Sequence, residues 1–200
     1  LIQMTGTVAA RTALALGAQV KIFDHDITKL RKIQHYLGQQ VFTSVIHPAV
    51  LFKALASADA VIGNLRYING SERFMISEEL VKTMKPGAVI IDLSVDQGGC
   101  FETSKCRTLK NPTYEKYGVI HYCVPNISAR VARTTSMALS NIFAPILLKI
   151  GLSGSVKVAI AESSGFRNGA YVYGGVLVNR LIGSYYNITS NDIGLLLAGC

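Results

Sequence analysis

The fold is decided by the stretch Val89-Ile90-Ile91-Asp92-Leu93-Ser94-Val95-Asp96-Gln97-Gly98-Gly99-Cys100. Its apolar, β-branched beginning follows Lys85-Pro86-Gly87, a pattern typical of a central strand that is buried on both faces of a parallel sheet. Ligands of open parallel sheets bind beyond the carboxyl ends of such strands. We therefore predict that the strand ends in Asp96 and that this carboxylate lies where chemistry takes place.

Helical and strand patterns alternate on both sides of this run. The predicted helices cover residues 9–17, 27–37, 49–57, 78–84 and 131–150, and the predicted strands cover 19–24, 41–45, 60–64 and 118–124. Such alternation is typical of an α/β fold with a doubly wound parallel sheet. Beyond Gly151 the sequence is richer in Gly and Ser and loses the alternation. We predict one domain over residues 1–150 and a segment of a second domain over 151–200.

The formal net charge of +8 comes from 20 Lys and Arg against 12 Asp and Glu. A basic chain can bind nucleic acid, but such proteins concentrate their cations on one face or interleave them with aromatic residues. Here the cations are scattered along the chain. We expect a solvated surface and no nucleic-acid partner.

The four cysteines form no C-x-x-C pair and have no histidine partner at zinc spacing. We therefore expect no metal site and free thiols, as in the reducing cytoplasm. The longest apolar runs, residues 142–150 and 193–200, are shorter than the ~20 residues that a membrane helix needs, and no targeting segment opens the sequence. These patterns predict a cytoplasmic protein without a membrane partner.

A dinucleotide-binding fold usually begins with a strand and a G-x-G-x-x-G turn, which brings backbone amides close to the pyrophosphate. The first eleven residues contain one glycine, Gly6. Asp24 nevertheless ends a predicted strand at about the 20-residue spacing where an acid meets the ribose hydroxyls. A carboxylate there repels a 2′-phosphate and favours NAD over NADP. The alternatives are a loop acid for Asp24 and a backbone-binding turn residue for Asp96.

Four segments together resemble the nucleotide-binding domain of the alanine dehydrogenase and pyridine nucleotide transhydrogenase family: residues 84–92, 96–104, 111–119 and 124–126. Transhydrogenase α subunits usually carry a Gly-Gly-Asn-Cys-Glu type of sequence where this chain has Gly98-Gly99-Cys100-Phe101-Glu102. The resemblance is therefore to L-alanine dehydrogenase. It implies a Rossmann-like domain, NAD as the hydride acceptor, reversible oxidative deamination of L-alanine to pyruvate and ammonium, and a homo-oligomer.

The resemblance also implies roles for individual residues. Asp96 matches the active-site acid and would orient the water or partner that carries protons. The other matches are cofactor contacts: Asn126 near the nicotinamide, Asp24 on the ribose, Gly6 in the pyrophosphate loop, and Ser44, Asn64 and Leu65 along the adenosine half and the cofactor backbone.

Two departures from the family pattern qualify this hypothesis. The substrate-binding Arg and Lys and the catalytic His of the family belong to a domain that precedes the nucleotide fold, and residues 151–200 look like the piece that returns to it. We expect this chain to be inactive alone. Gly6 also fits either the third glycine of the loop or the second glycine with about three residues missing. The alternatives are a non-catalytic nucleotide-binding or assembly module and a transhydrogenase-like NAD(H)-binding domain.

Overall fold

The computed structural model describes residues 4–64 and 76–198, without the side chain of Met4. The chain forms two compact units, one up to Arg130 and the other from Val131 onward. The first unit carries the alternating helices and strands and every predicted site residue. The predicted division into domains at residue 150 stays a prediction.

The first unit alternates helices and strands as the sequence predicts. Its helices are α1 (Met4–Ala15), α2 (Ile27–Leu37), α3 (Pro48–Ser57) and α4 (Glu78–Lys82). Its strands are β1 (Lys21–Asp24), β2 (Phe42–Val45), β3 (Ala60–Gly63), β4 (Val89–Asp92), β5 (Thr113–Lys116) and β6 (Val119–Tyr122). Two 3₁₀ helices cover Val95–Gln97 and Ile127–Val131.

Local sequence explains where several of these elements begin and end. Asp26 caps α2 by accepting a hydrogen bond from the Thr28 amide, and Gly38 ends that helix with a φ of 66°. Ser77 caps α4 by accepting a hydrogen bond from the Leu80 amide. Helix α1 begins earlier than predicted, so Gly6 lies inside its first turn.

The described strands of the first unit pair in parallel, apart from the edge strand β5. β1 pairs with β2, and β3, β4 and β6 are parallel neighbours in a sheet whose order is β3-β4-β6-β5. The antiparallel edge strand β5 was missed by the sequence prediction. It joins β6 through Tyr117 and Gly118, whose φ angles of 56° and 73° fit a two-residue turn with both residues left-handed. The usual signal for this turn is Asn-Gly, which is absent here.

Two clusters of buried apolar side chains lie on opposite faces of β1. Ile22 belongs to a cluster formed with α1 and α2, whereas Phe23 packs against a cluster formed with α3, α4 and β4. Successive residues of a strand point to opposite faces, so helices cover both sides of the sheet. This arrangement confirms the doubly wound α/β fold.

The second unit is helical and more exposed. Its elements are α5 (Ala132–Leu152), α6 (Val156–Glu162), α7 (Ser164–Gly169), β7 (Val172–Tyr173), β8 (Val176–Leu177), α8 (Arg180–Tyr186) and α9 (Ile193–Ala198). Pro145 lies inside α5, where the sequence predicts a kink, and none of the residues of α5 is buried.

Helix α5 also bears on the prediction that the protein has no membrane partner. The segment Ile127–Leu152 has 26 residues and a mean hydropathy of 1.4 in its 18-residue window, none of which is buried. By length and composition this one helix could cross a membrane, although core helices of other proteins meet the same criterion. The absence of a membrane partner stays a prediction.

Candidate functional site

The predicted site residues lie at or near the carboxyl ends of parallel strands. Asp24 is the last residue of β1 and Ser44 is the third residue of β2, while Asn64, Asp96 and Asn126 follow β3, β4 and β6. Parallel strands end on the same edge of their sheet, so the last three residues follow neighbouring strands at one edge. Leu65 lies outside the described residues.

Gly6 and Asn64 approach each other at the start of α1. A Cβ atom built on Gly6 would lie 3.5 Å from Asn64 Nδ2. That nitrogen is buried and has no hydrogen-bond partner in the part of the chain that the structure describes. The first backbone amides of a helix also have no intrahelical partner. The start of α1 therefore combines the positive end of a helix with an unpaired side-chain donor, an arrangement suited to an anion.

Asp24 is completely buried, and its Oδ1 atom accepts a hydrogen bond of 2.9 Å from the Asp26 amide. This contact shapes the turn from β1 into α2, as expected for a loop acid. The structure thus gives Asp24 a local structural role, and its contact with a ribose stays a prediction.

Ser44 and Asn126 have local hydrogen bonds of their own. The Ser44 hydroxyl donates to the Val45 carbonyl oxygen at 2.7 Å. Asn126 is exposed and has a φ of 54°, and its Oδ1 atom accepts a hydrogen bond of 2.7 Å from the Ser128 hydroxyl. Asparagine adopts this left-handed conformation more readily than most residues. Asn126 therefore forms the sharp turn by which the chain leaves β6.

The predicted end of β4 is wrong. The strand ends at Asp92, and Asp96 lies in the following 3₁₀ helix, where it is exposed. The carboxylate that ends the strand is 1% exposed. It accepts hydrogen bonds from backbone amides of the next turn, and these bonds bend the chain away from the sheet. The backbone-binding role that the sequence left open for Asp96 belongs to Asp92.

Glycines make the turn after Asp96 possible. Gly98 and Gly99 have φ angles of 112° and 80°. A Cβ atom on Gly99 would lie 2.9 Å from Asp92 Oδ2, so no side chain fits there. Cys100 follows as a buried residue, and its Sγ atom lies 2.9 Å from the Ser94 hydroxyl.

Gly63, at the end of β3, also leaves room for this turn. A Cβ atom on Gly63 would lie 2.7 Å from Phe101 and 2.8 Å from Cys100 Cβ. The Leu93 amide also donates to the Gly63 carbonyl oxygen at 2.8 Å. The segment after β4 therefore packs directly on the end of β3.

A buried histidine lies behind the same segment. His121 is fully buried on β6, and its Nδ1 atom lies 3.0 Å from the Val119 carbonyl oxygen. A carbonyl oxygen can only accept, so Nδ1 carries the proton and Nε2 accepts the Thr103 hydroxyl at 2.8 Å. Burial lowers the pKa of His121. His121 is therefore a buried histidine whose two ring nitrogens are both hydrogen-bonded.

Tyr114 completes the contacts around His121. Its ring stacks on the imidazole at 4.8 Å, and its hydroxyl donates to the Thr103 carbonyl oxygen at 2.7 Å. Burial raises the pKa of Tyr114. Sequence reasoning missed this network, because Tyr114 lies on the unpredicted strand β5.

No group of three His, Cys, Asp or Glu side chains that could hold a metal ion occurs within residues 4–64 and 76–198.

Comparison with known proteins decides the family. The family model "Alanine dehydrogenase/PNT, C-terminal domain" matches residues 4–180. The chain belongs to this family. The predicted resemblance is thereby confirmed, and the site described above lies within the matched residues.

Individual relatives are alanine dehydrogenases. The chain is 37% identical over 192 residues to alanine dehydrogenase of Bacillus subtilis, covering 96% of this chain and 49% of the relative. It is 36% identical over 186 residues to alanine dehydrogenase of Methanococcus maripaludis, covering 92% of this chain and 50% of the relative. The chain therefore spans about half the length of the curated relatives it matches.

Comparison with solved structures gives the same family and fold. A structure of L-alanine dehydrogenase matches 92% of this chain and 51% of its own with a TM-score of 0.84 and 33% identity. A transhydrogenase from Sinorhizobium meliloti matches 90% of this chain and 48% of its own with a TM-score of 0.68 and 23% identity, which shows a shared fold.

Proposed function

We propose that this chain is the NAD-binding part of an alanine dehydrogenase, and that the complete protein oxidises L-alanine to pyruvate and ammonium. The relatives at 33–37% identity support the reaction. The observation that carries the cofactor assignment is the buried Nδ2 atom of Asn64 beside the first turn of α1, which has no hydrogen-bond partner among residues 4–64 and 76–198. A pyrophosphate would satisfy this donor together with the helix amides.

The remaining cofactor contacts are proposed from the family positions. Asp24 would bind a ribose and disfavour a 2′-phosphate, and Asn126 would lie near the nicotinamide. Gly6 would lie in the pyrophosphate loop, and Ser44 and Leu65 along the adenosine half and the cofactor backbone. The placement of Gly6 inside helix α1 supports its match to the third glycine of the loop, which allows close packing of helix and strand. NAD, when bound, supplies the hydride acceptor for the reaction.

Asp96 is the proposed active-site acid of this chain. Its side chain is exposed on an ordered turn beyond β4, so solvent and substrate can reach it. Deamination requires a water molecule to lose a proton as it attacks the imine carbon, and a carboxylate suits this transfer. The groups that bind the substrate carboxylate belong to the other half of the protein, so we expect no turnover from this chain alone.

The first experiment measures NADH formation from L-alanine with the full-length protein. We expect turnover in the wild type and a loss of about 10²–10⁴-fold in kcat for Asp96→Asn, the range that acid–base groups contribute. Glu115→Gln, which changes an exposed carboxylate on β5, is the matched control and should keep full activity. Turnover of another amino acid but not of alanine would contradict the substrate, and full activity of Asp96→Asn would contradict its role.

A second experiment titrates NAD against the full-length protein by calorimetry. Asn64→Ala removes the unpaired donor and should weaken NAD binding, by roughly tenfold for one hydrogen bond to a charged group. Asn111→Ala, at an exposed position outside the proposed site, should bind as the wild type does. No NAD binding by the wild type would favour the non-catalytic assembly module instead.

We also propose a cytoplasmic homo-oligomer whose partners are L-alanine and pyruvate rather than nucleic acid or a membrane. The family resemblance supports these assignments. Light scattering of the full-length protein measures the oligomeric state, and a monomer at micromolar concentration would contradict the proposal.

A further inference from the structure

The carboxylate of Asp92 is saturated with hydrogen bonds although it is 1% exposed. Its Oδ1 atom accepts from the Ser94 amide at 3.0 Å and the Ser94 hydroxyl at 3.1 Å. Its Oδ2 atom accepts from the Cys100 amide at 2.7 Å and the Ser104 hydroxyl at 2.6 Å. One side chain therefore joins the beginning of the segment 93–104 to its end.

These bonds continue to the turn that carries Asp96. The Ser94 carbonyl oxygen accepts hydrogen bonds from the Gln97 amide at 2.9 Å and the Gly99 amide at 3.0 Å. Asp96 lies between Ser94 and Gln97, in the 3₁₀ helix Val95–Gln97. One hydrogen-bonded path from the buried carboxylate of Asp92 to the turn of Asp96 thus runs through Ser94.

We infer that Asp92 is the positioning residue for Asp96: its carboxylate holds the segment 93–104 in the shape that presents Asp96 beyond β4. The inference rests on the proposed function, in which Asp96 is the active-site acid. Asp92 itself is 1% exposed, so we expect it to act through the turn and not by touching substrate or cofactor. Its contribution to the reaction passes through the geometry of the turn.

The substitution Asp92→Asn tests this role because it keeps the size of the side chain. Backbone amides only donate, so both oxygens of Asp92 must accept, one from Ser94 and one from Cys100. An asparagine has one oxygen and one NH₂ group, and the NH₂ group would face an amide donor.

Two readouts in the full-length protein separate positioning from a general loss of structure. We expect Asp92→Asn to lower kcat by at least about tenfold, the scale of a misplaced catalytic group, with the KM for NAD changed by less than about threefold. Hydrogen exchange measured by mass spectrometry should rise in peptides covering residues 93–104 and stay unchanged in α2 and β2.

Ser104→Ala keeps the test decisive should Asp92→Asn fail to fold. It removes one of the two bonds to Oδ2 and should produce smaller changes in the same direction in both readouts. Asp59→Asn is the matched control, because Asp59 is an exposed carboxylate that pairs with Lys85 before β3. It should behave as the wild type does.

The outcomes distinguish the inference from the proposed function. Wild-type exchange in segment 93–104 of Asp92→Asn would overturn the inference, as would a joint loss of turnover and NAD affinity with faster exchange throughout the first unit. If the wild-type protein does not turn over L-alanine, the proposed function fails. The exchange measurement then still decides whether Asp92 holds the segment.

Discussion

The two units of the chain differ in how far their apolar side chains are buried. In the first unit Ile90 and Val119 are completely buried, whereas in the second unit Leu148 is 68% exposed. The first unit builds its own core from helices on both faces of a sheet, and the candidate site rests on that core. Exposed apolar surface of the kind seen on α5 usually marks a surface that another protein part or a membrane covers. The difference teaches that the described contacts of the candidate site depend on the core of the first unit.

The largest expected effect on the free energy of unfolding comes from removing a core side chain of the first unit. Phe101→Ala deletes a ring that is 1% exposed and should lower the free energy of unfolding by about 3–5 kcal/mol. Leu148→Ala, on exposed α5, should change it by less than about 0.5 kcal/mol. Urea unfolding followed by circular dichroism measures both changes in this chain. Similar effects for the two variants would contradict the contrast between the units.

A smaller effect is expected from adding a methyl group at a glycine. In Gly63→Ala the new atom would lie 2.7 Å from Phe101 and should cost about 1–3 kcal/mol of stability, as overpacking does. In Gly151→Ala, near the end of α5, nothing lies within 4 Å and helix propensity should add up to about 1 kcal/mol. Thermal unfolding gives the sign of each change. A stabilising Gly63→Ala would mean that Cys100 and Phe101 can move away from β3.

Much of the fold could be predicted because its determinants are local. Apolar runs mark the strands, and cap residues such as Ser77 and Gly38 mark helix ends. The hairpin of β5 and β6 could not be predicted, because Tyr117 adopts a left-handed conformation that its residue type disfavours. The predicted end of β4 was wrong because contacts distant in the sequence end the strand. Apolar residues continue at Leu93 and Val95, while the bonds that end the strand reach residues as far away as Ser104.

The candidate site could also be predicted only in part from the sequence. The alternation of elements predicts which residues follow the parallel strands, and the structure places Asp24, Asn64, Asp96 and Asn126 there. Sequence could not show that Asn64 holds a buried donor without a partner among the described residues, or that Asp92 bonds both ends of the segment 93–104. These facts depend on contacts between residues far apart in the chain.

The smallest expected effect depends on pH and concerns His121. All four histidines of the chain lie in the first unit. Burial lowers the pKa of His121 in the folded protein, with Lys116 adding to the effect. Below about pH 6.5 the unfolded chain therefore binds a proton that the folded chain does not. Stability should fall with falling pH, by at most about 1.4 kcal/mol per pH unit.

Urea unfolding at pH 7 and pH 5.5 measures this dependence. His121→Gln should be less stable at both pH values, because it loses the stacking on Tyr114, but its stability should depend less on pH than that of the wild type. His35→Gln, at an exposed position on α2, is the matched control for the replacement of a histidine by glutamine. An unchanged pH dependence in His121→Gln would mean that another group titrates. Because the second unit has no histidine, hydrogen exchange in α6 and α8 should then report whether that unit unfolds together with the first or independently of it.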